Sequence, residues 1–203
     1  MSPGSPGEAN DYIKDYRARL SSLAFDVDSS YPGFLQNRLK IRVFNQGYVG
    51  ATIARGLQLV HDSVLGKRPV LVLLEFGAND FLQDVSVDTA EARLDRLVGQ
   101  ILSSRCVVVL VSFFNPDMLN RVSPNYPLLA KKDLALAYFA MLQRVAQTHS
   151  IEMVDYPLKD IFGDSRYMSD LIHPNAIGYL KMEQNISQAL MLTWKRNGML
   201  RLP

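Results

Sequence analysis

Short apolar runs alternate with amphipathic stretches along the chain after residue 30. The runs with the length of strands are 41–45, 69–76, 106–113 and 151–155. The stretches with apolar positions at helical spacing are 51–64, 88–103, 131–149 and 175–195. Strands that alternate with helices are typical of a parallel sheet covered by helices. The pattern therefore predicts an α/β fold, a three-layer sandwich whose mostly parallel, flavodoxin-like sheet carries helices on both faces.

The apolar run that begins at Val70 ends in a small-residue turn, Gly77-Ala78-Asn79-Asp80. An unbroken run of this kind is typical of a strand buried on both faces. Ligands of open α/β sheets bind at the carboxyl ends of the strands, so Asn79 stands where chemistry is expected. The alternative interpretation is a plain turn, because all four residue types favour turns.

Two other segments carry residues that can bind an anion or act as a base. Residues 46–52 follow the run 41–45 and precede a predicted helix, where a glycine can offer its backbone N–H to an anion. Near the C-terminus, Asp170 stands three residues before His173, and Pro174 follows at the start of a predicted helix. A catalytic histidine needs a partner on Nδ1 that selects its tautomer, and an aspartate one turn away can serve. The alternative interpretation is that Asp170 only caps the helix.

In order and spacing, these segments resemble three of the four sequence blocks of the SGNH (GDSL-type) hydrolases. The resemblance is particularly to the lysophospholipase, arylesterase and acyl-thioesterase I-like subgroup. The matching segments are Asn45–Gly56, Gly77–Asp80 and Asp170–Asn175, within a similarity that runs from about Leu23 to Leu192. The resemblance implies that Gly50 and Asn79 are oxyanion-hole donors. It also implies that His173 is the catalytic base and that Asp170 orients it.

The chain departs from the family in the first block. The family has an apolar strand that ends in Gly-Asp-Ser, and that serine is the nucleophile. Counting back from Ser30-Tyr31-Pro32, which resembles the start of the family's first helix, puts Ser22 at the nucleophile position. Residues 11–20 are too rich in charge for a buried strand and are predicted to form an amphipathic helix. The predicted organisation is an atypical leader and helix over 1–22 and an SGNH-like domain over 23–203.

This atypical start leaves the nucleophile open. Either the N-terminus has been replaced, or the protein is a divergent member that has lost its nucleophile, and both cases predict weak hydrolysis. The other candidate serines, each more typical of an ordinary loop or helix position, are Ser5, Ser21, Ser29 and Ser30. The chain's one Gly-Asp-Ser, at 163–165, lies just upstream of Asp170 and is interpreted as a coincidence.

Composition narrows the possible functions. At 203 residues, 48% hydrophobic and 21% charged, the chain has the size of one domain with a substantial core. A net charge of +2 gives no electrostatic basis for binding nucleic acid or an anionic membrane. The three histidines are dispersed and Cys106 is the only cysteine, so no metal site, cofactor or internal disulfide is predicted.

The same patterns bear on location. The apolar runs are too short to span a membrane, and the first residues lack the apolar core of a signal peptide. As written, the protein is predicted to be cytoplasmic. A periplasmic or secreted location is the expectation if the N-terminus is truncated or replaced.

The connection from Asn115 to Lys131 is unusually long and contains three prolines and several apolar residues. Connections of this length are commonly lids or binding loops. We therefore predict that it covers the rim of the site and that Leu128 and Leu129 line an acyl pocket. The alternative is a purely structural loop.

The predicted function is hydrolysis of a small carboxylic ester or thioester by acyl transfer of the Ser-His-Asp type. One alternative is a catalytically inactive binding protein with the SGNH fold, which the departure in the first block favours. Another is a flavodoxin-like binder of phosphate or nucleotide, which the absence of a phosphate-binding loop opposes.

Overall fold

A parallel sheet forms the centre of the molecule. The computed structural model describes residues 30–122 and 127–196, with only the backbone at 127 and 128. Within these ranges the strands are β1 (Leu71–Glu75), β2 (Val107–Val111) and β3 (Glu152–Val154), in the order β1-β2-β3. Leu71 lies opposite Val107 and Val109 lies opposite Glu152, so β2 is the central strand. Its last four residues are all buried, which explains its unbroken apolar sequence.

Helices pack around this sheet in two groups. The α-helices of the described ranges are α1 (Tyr31–Leu39), α2 (Ile53–Leu59), α3 (Ala78–Leu82), α4 (Val87–Ser103), α5 (Pro116–Arg121), α6 (Lys132–Thr148) and α7 (Ala176–Arg196). In one group α2 packs against α4, and α4 packs against α6. In the other, α1 packs against α7, which also contacts β3. The predicted α/β fold, a parallel sheet with helices around it, is confirmed, and none of these described helices is long and apolar enough to cross a membrane.

An ion pair fixes α1 against α7. Nε of Arg38 lies 2.7 Å and 2.8 Å from the two carboxylate oxygens of Glu183. The side chain of Glu183 is fully buried, and a buried carboxylate is stable only when it is paired and hydrogen-bonded. The pair therefore holds the helix that follows His173 in a defined position.

The predicted strand at 41–45 is wrong. Residues 42–48 form neither helix nor strand. Val43 packs against the core, but Ile41 and Phe44 are 40% and 42% exposed. A strand needs a neighbour for its backbone N–H and C=O groups, and within the described ranges the sheet ends at β1. The backbone N–H of Val43 donates instead to the side chain of Gln36, at 3.1 Å.

The connection 115–131 is only partly a loop. Asn115 caps α5, because its Oδ1 accepts the backbone N–H of Asp117 at 2.8 Å. Met118 and Leu119 belong to the buried core, so this half of the connection is structural. A 3₁₀-helix over Pro127–Lys131 ends the connection.

Candidate active site

His173 and Asp170 form a hydrogen-bonded pair just before α7. The carboxylate oxygens of Asp170 lie 2.9 Å and 3.1 Å from Nδ1 of His173. Oδ1 of Asp170 also accepts the backbone N–H groups of Ile172 and His173, at 2.8 Å and 2.7 Å. Because Nδ1 faces the carboxylate, Nε2 points away from it. The structure thus brings together the two residues that the Asp-x-x-His spacing singled out.

The carboxylate of this pair is more shielded than the imidazole. The side chain of Asp170 is 12% exposed and that of His173 is 38% exposed. Burial acts to raise the pKa of Asp170, but the N–H groups of Ile172 and His173, together with the imidazole, outweigh it and hold that pKa below its ordinary value. Asp170 is therefore ionised at neutral pH, as a carboxylate that stabilises an imidazolium has to be.

Backbone hydrogen bonds close the segment that carries the pair, residues 166–175, which we call the histidine loop. The N–H of Ser169 donates to the carbonyl of His173 at 2.8 Å. Met168 and Pro174 form an isolated antiparallel bridge. The loop is therefore a closed unit, not an open connection.

Asn175, and not Asp170, caps α7. Its Oδ1 accepts the backbone N–H of Gly178 at 3.0 Å. Asp170 instead caps the turn that contains His173, so the interpretation of Asp170 as a cap of α7 is wrong. This capping role of Asn175 was not predicted from the sequence, although an asparagine directly before a periodic apolar stretch is a known signal for a helix start.

Asn79 and the segment around Gly50 meet at the end of β1. Gly77, whose φ is +109°, turns the chain from β1 into α3. Nδ2 of Asn79 donates to the carbonyl of Ala51 at 3.0 Å. An amide nitrogen carries two N–H groups, and Ala51 is the only acceptor of Nδ2 among the described residues. Gly50 has a φ of +73°, and among the described residues no atom lies within 4 Å of the place a Cβ would occupy.

Asp80 makes a second tie between these segments. Its Oδ2 accepts the N–H of Ile53, the first residue of α2, at 2.9 Å. The side chain is fully buried, and Oδ1 has no hydrogen-bond partner in the structure as described. Burial raises the pKa of Asp80, against the opposing effect of the Ile53 N–H. We call residues 48–53 and 77–80 together the Asn79 side.

Tyr31 lies between the carboxyl end of β1 and the start of α7. Its hydroxyl donates to Oε2 of Glu75, the last residue of β1, at 3.1 Å. Burial raises the pKa of Tyr31 well above its ordinary value, and Glu75 and the nearby Tyr179 add to the effect. Tyr179 lies in the first turn of α7, shortly after His173. The start of α7 is therefore close to the strand end that leads into Asn79.

Several predicted features lie outside the described residues: the leader and helix within 1–22, Ser5, Ser21, Ser22, Ser29 and the side chain of Leu128. Ser30 is buried directly before α1. Leu129 is half-buried and packs against the core.

The Gly-Asp-Ser at 163–165 forms part of a turn. The guanidinium of Arg166 donates to both carboxylate oxygens of Asp164, and this lowers the pKa of Asp164 to about 2. Gly163 adopts a φ of +81°, and Ser165 is exposed. The carboxylate of Asp164 is thus hydrogen-bonded to Arg166, two residues further along the same turn.

A family model accounts for most of the chain. The model of the GDSL-like Lipase/Acylhydrolase family matches residues 4–181. The chain belongs to this family. The matched range contains Ser22, the Asn79 side, and the Asp170–His173 pair. The SGNH resemblance is thereby confirmed, and the protein is a member of an enzyme family of ester hydrolases.

Individual relatives have low sequence identity to this GDSL-like family member, but the similarity covers most of both chains. An arylesterase of Vibrio mimicus is 23% identical over 171 residues, covering 81% of this chain and 80% of that protein. The crystal structure of TesA has 24% identity and a TM-score of 0.71, covering 84% of this chain and 92% of that chain. The psychrotrophic esterase EstA from Pseudoalteromonas sp. has 19% identity and a TM-score of 0.71, covering 84% and 90% of the two chains. At these identities, the structural similarity establishes the fold alone.

Proposed function

We propose that this protein hydrolyses small carboxylic esters or thioesters by acyl transfer. In this proposal Ser22 is the nucleophile, His173 is the base, and Asp170 orients the base. The observation that carries the proposal is the hydrogen bond of 2.9 Å between Asp170 and Nδ1 of His173. It selects the tautomer in which Nε2 can accept a proton.

The reaction has two matched halves. Nε2 of His173 takes the hydroxyl proton of Ser22 as the serine oxygen bonds to the carbonyl carbon of the substrate, and a tetrahedral oxyanion forms. When the carbonyl reforms, the bond to the alcohol or thiol breaks, and the leaving group takes the proton from the imidazolium. Water then attacks the acyl-serine in the same way and releases the carboxylic acid. Asp170 stays ionised throughout and stabilises the imidazolium.

The oxyanion is stabilised from the Asn79 side. One N–H of Asn79 Nδ2 is bound to Ala51, which orients the amide so that its second N–H can donate to the oxyanion. The backbone N–H of Gly50 is the other donor, on a segment that Ala51 and Ile53 tie to α3. A single donor of this kind is typically worth about 3 kcal/mol of activation free energy.

The acyl group is bound by the end of the connection 115–131. Lys131 ends the 3₁₀-helix of this connection and forms an ion pair with Asp84, shortly after α3. Nζ of Lys131 also lies 5.8 Å from the ring centre of Phe81, within α3. These contacts hold the 3₁₀-helix beside the helix that carries Asn79. They support an acyl pocket lined by Leu128 and Leu129.

The relatives support hydrolysis and do not favour the alternative of an inactive binding protein. The Vibrio mimicus relative is an arylesterase, and EstA is an esterase. Carboxylic esters, thioesters and the acyl esters of lysophospholipids share the carbonyl that this mechanism attacks. We include all three in the proposal, and they differ in the leaving group.

The decisive experiment combines turnover with labelling. Purified protein is assayed on p-nitrophenyl acetate, a short acyl thioester and a lysophospholipid, beside the variants His173→Ala and Ser22→Ala. The matched control is His61→Ala, because His61 is an exposed histidine that contacts only its neighbour Asp62 among the described contacts. A serine-directed phosphonate followed by peptide mass spectrometry identifies the nucleophile.

We expect turnover that His173→Ala and Ser22→Ala each reduce by about 10³-fold or more, with His61→Ala unchanged. We expect the phosphonate on Ser22. Turnover that is indifferent to His173 would contradict the proposed function. A phosphonate adduct on another serine would contradict only the assignment of Ser22.

A further inference from the structure

Asn175 joins the two ends of the histidine loop through its side chain and its backbone. Nδ2 donates to the carbonyl of Arg166 at 2.9 Å, and the backbone N–H donates to the carbonyl of Tyr167 at 2.8 Å. Toward α7, Oδ1 accepts the N–H of Gly178 at 3.0 Å, and the backbone carbonyl accepts the N–H of Tyr179 at 2.8 Å. One residue therefore binds the start of the loop and the start of the helix at the same time.

Gly178 completes this junction by its lack of a side chain. A Cβ at this position would lie 2.1 Å from the carbonyl oxygen of Tyr167 and 2.9 Å from Cβ of Pro174. Real Cβ atoms do not approach other atoms this closely, so only glycine lets α7 lie against the start of the loop. The contact with Tyr167 is to backbone, which has no rotamer to change.

The Asp170–His173 pair lies inside the segment that Asn175 closes. The carboxylate binds the imidazole and two backbone N–H groups of the same turn, so the pairing depends on the shape of that turn. The bonds of Asn175 to Arg166 and Tyr167 close the loop around this turn and hold it against the start of α7.

We propose that Asn175 is a positioning residue, which sets the placement of His173 by clamping the histidine loop through the hydrogen bond from Nδ2 to Arg166. The proposal rests on the proposed function, because it assumes that His173 acts as the base. Asn175 acts through the loop and touches neither the imidazole nor the reacting atoms. A displacement of a catalytic group by about 1 Å can reduce turnover about 100-fold, so a clamp of this kind has catalytic consequences.

Asn175→Ser separates this clamp from simple helix capping. Serine is as good a helix cap as asparagine, so the variant can keep the bond to Gly178. It has no donor that reaches Arg166, and it adds no charge near His173. The matched control is Asn185→Ser in the same helix, since Nδ2 of Asn185 donates to the carbonyls of Pro157 and Lys159, outside the histidine loop.

The variants are compared by kcat and KM on p-nitrophenyl acetate, by urea unfolding, and by the ¹⁵N spectrum of the imidazoles. The spectrum reports the fraction of His173 in the tautomer protonated at Nδ1, and His173→Ala identifies its signal. In Asn175→Ser we expect kcat to fall about 10- to 100-fold with KM changed less than twofold, and the tautomer fraction to drop. In Asn185→Ser we expect kcat and the tautomer fraction to stay at the wild-type values.

Equal kcat and an unchanged tautomer fraction in Asn175→Ser would overturn the proposal, whatever happens to the unfolding midpoint. So would an equal loss of kcat in Asn185→Ser. If Asn175→Ser does not fold, Asn175→Thr takes its place, since threonine can also cap a helix, adds no charge and lacks the donor that reaches Arg166. If the wild type has no hydrolytic activity, the proposed function fails, and the imidazole spectrum alone decides on the positioning role.

Discussion

The histidine loop and the Asn79 side are assembled at very different ranges along the chain. The bonds of Asp170 and Asn175 within the loop join residues no more than nine positions apart. The ties that Asn79 and Asp80 make to the Gly50 segment join residues 28 and 27 positions apart. The loop can therefore form from its own sequence, whereas the Asn79 side exists only once β1 and α2 have packed.

The two sides also differ in how their carboxylates are satisfied. Asp170 is held by two backbone N–H groups and an imidazole, and its pKa is lowered. Asp80 is fully buried with one unpartnered oxygen in the described structure, and its pKa is raised. An ionised carboxylate stabilises the fold more when both of its oxygens have hydrogen-bond partners than when one has none. In the loop the partners of Asp170 outweigh the effect of its burial. On the Asn79 side the burial of Asp80 disfavours the ionised carboxylate.

The largest effect should come from breaking the local pair. Asp170→Asn keeps the shape of the side chain but offers Nδ1 a donor or a neutral acceptor, so the wrong tautomer is favoured. We expect kcat to fall by about 10³- to 10⁴-fold. Asp95→Asn is the control, because Asp95 also bonds a histidine, Nε2 of His149, at 2.8 Å. A loss below tenfold in Asp170→Asn would mean that the pair does not orient the base.

A smaller loss is expected from the long-range side. Asn79→Ala removes the amide donor and the tie to Ala51 together. We expect kcat to fall about 10²- to 10³-fold with little change in KM, because in the proposed function the donor acts on the oxyanion and not on the bound ester. Steady-state assays on p-nitrophenyl acetate test this. A rise in KM at constant kcat would show that Asn79 binds the substrate instead.

The closure of the histidine loop can be tested through stability. Gly178→Ala should lower the free energy of unfolding by about 1–3 kcal/mol, because the added methyl meets the backbone of Tyr167. The matched change is Gly99→Ala in α4, where the nearest atom to an added Cβ, on His149, is 3.9 Å away. That change should stabilise by about 0.5–1 kcal/mol, since alanine favours a helix more than glycine does. Urea unfolding of both variants decides, and a stabilised Gly178→Ala would contradict the close approach.

The proposed acyl pocket predicts a change in chain-length preference. Replacing Leu128 and Leu129 by Ala should weaken kcat/KM for longer p-nitrophenyl esters several-fold more than for acetate, because each lost methylene contact is worth about 0.8 kcal/mol. Leu192→Ala, at an exposed position of α7, is the control. Equal losses for all chain lengths would mean that the 3₁₀-helix is remote from the acyl group.

The smallest expected effect is on the pH dependence of stability, and it has opposite signs on the two sides. The pKa of Asp170 is below the ordinary value of 3.8, so its contribution is present above that pH and is lost as the pH falls through the lower folded pKa. The pKa of Asp80 is above 3.8, so stability decreases as the pH rises from 3.8 through the higher folded pKa.

Between pH 3 and pH 6, wild-type stability is the reference. We expect Asp170→Asn to reduce the gain in the free energy of unfolding over this range and Asp80→Asn to enlarge it. Urea unfolding at the two pH values measures both. Changes of the same sign in the two variants would contradict the difference between the carboxylates.

The sequence predicted the strands of the described sheet, but not which apolar run fails to pair. The strands predicted at 69–76, 106–113 and 151–155 all form, because a strand-length run rich in apolar and β-branched residues is a local signal. The run 41–45, in which Arg42 interrupts the apolar residues, is not a strand. Whether it pairs depends on a neighbour, and no local pattern reports a neighbour.

The candidate site divides in the same way. The pairing of Asp170 with His173 followed from spacing, because three residues fix their separation to one turn. Two hydrogen bonds could not be predicted: Asn79 donates to the carbonyl of Ala51, and Asp80 accepts the N–H of Ile53. Both depend on how the segment after β1 packs against the start of α2. Nor could the clamp from Asn175 to Arg166 be predicted, since nine positions separate the two residues and no spacing rule gives the path of the loop between them.

The sequence by itself determined the alternation of strands and helices and the pairing of Asp170 with His173. It did so through short-range preferences, which act over one turn or one strand and need no folded partner. Only the tertiary structure decided that Met118 and Leu119 are core, that Gly178 admits no side chain, and that the Gly50 segment lies against Asn79. Each of these depends on burial or on contact between distant residues, which arises only when the apolar faces have packed together.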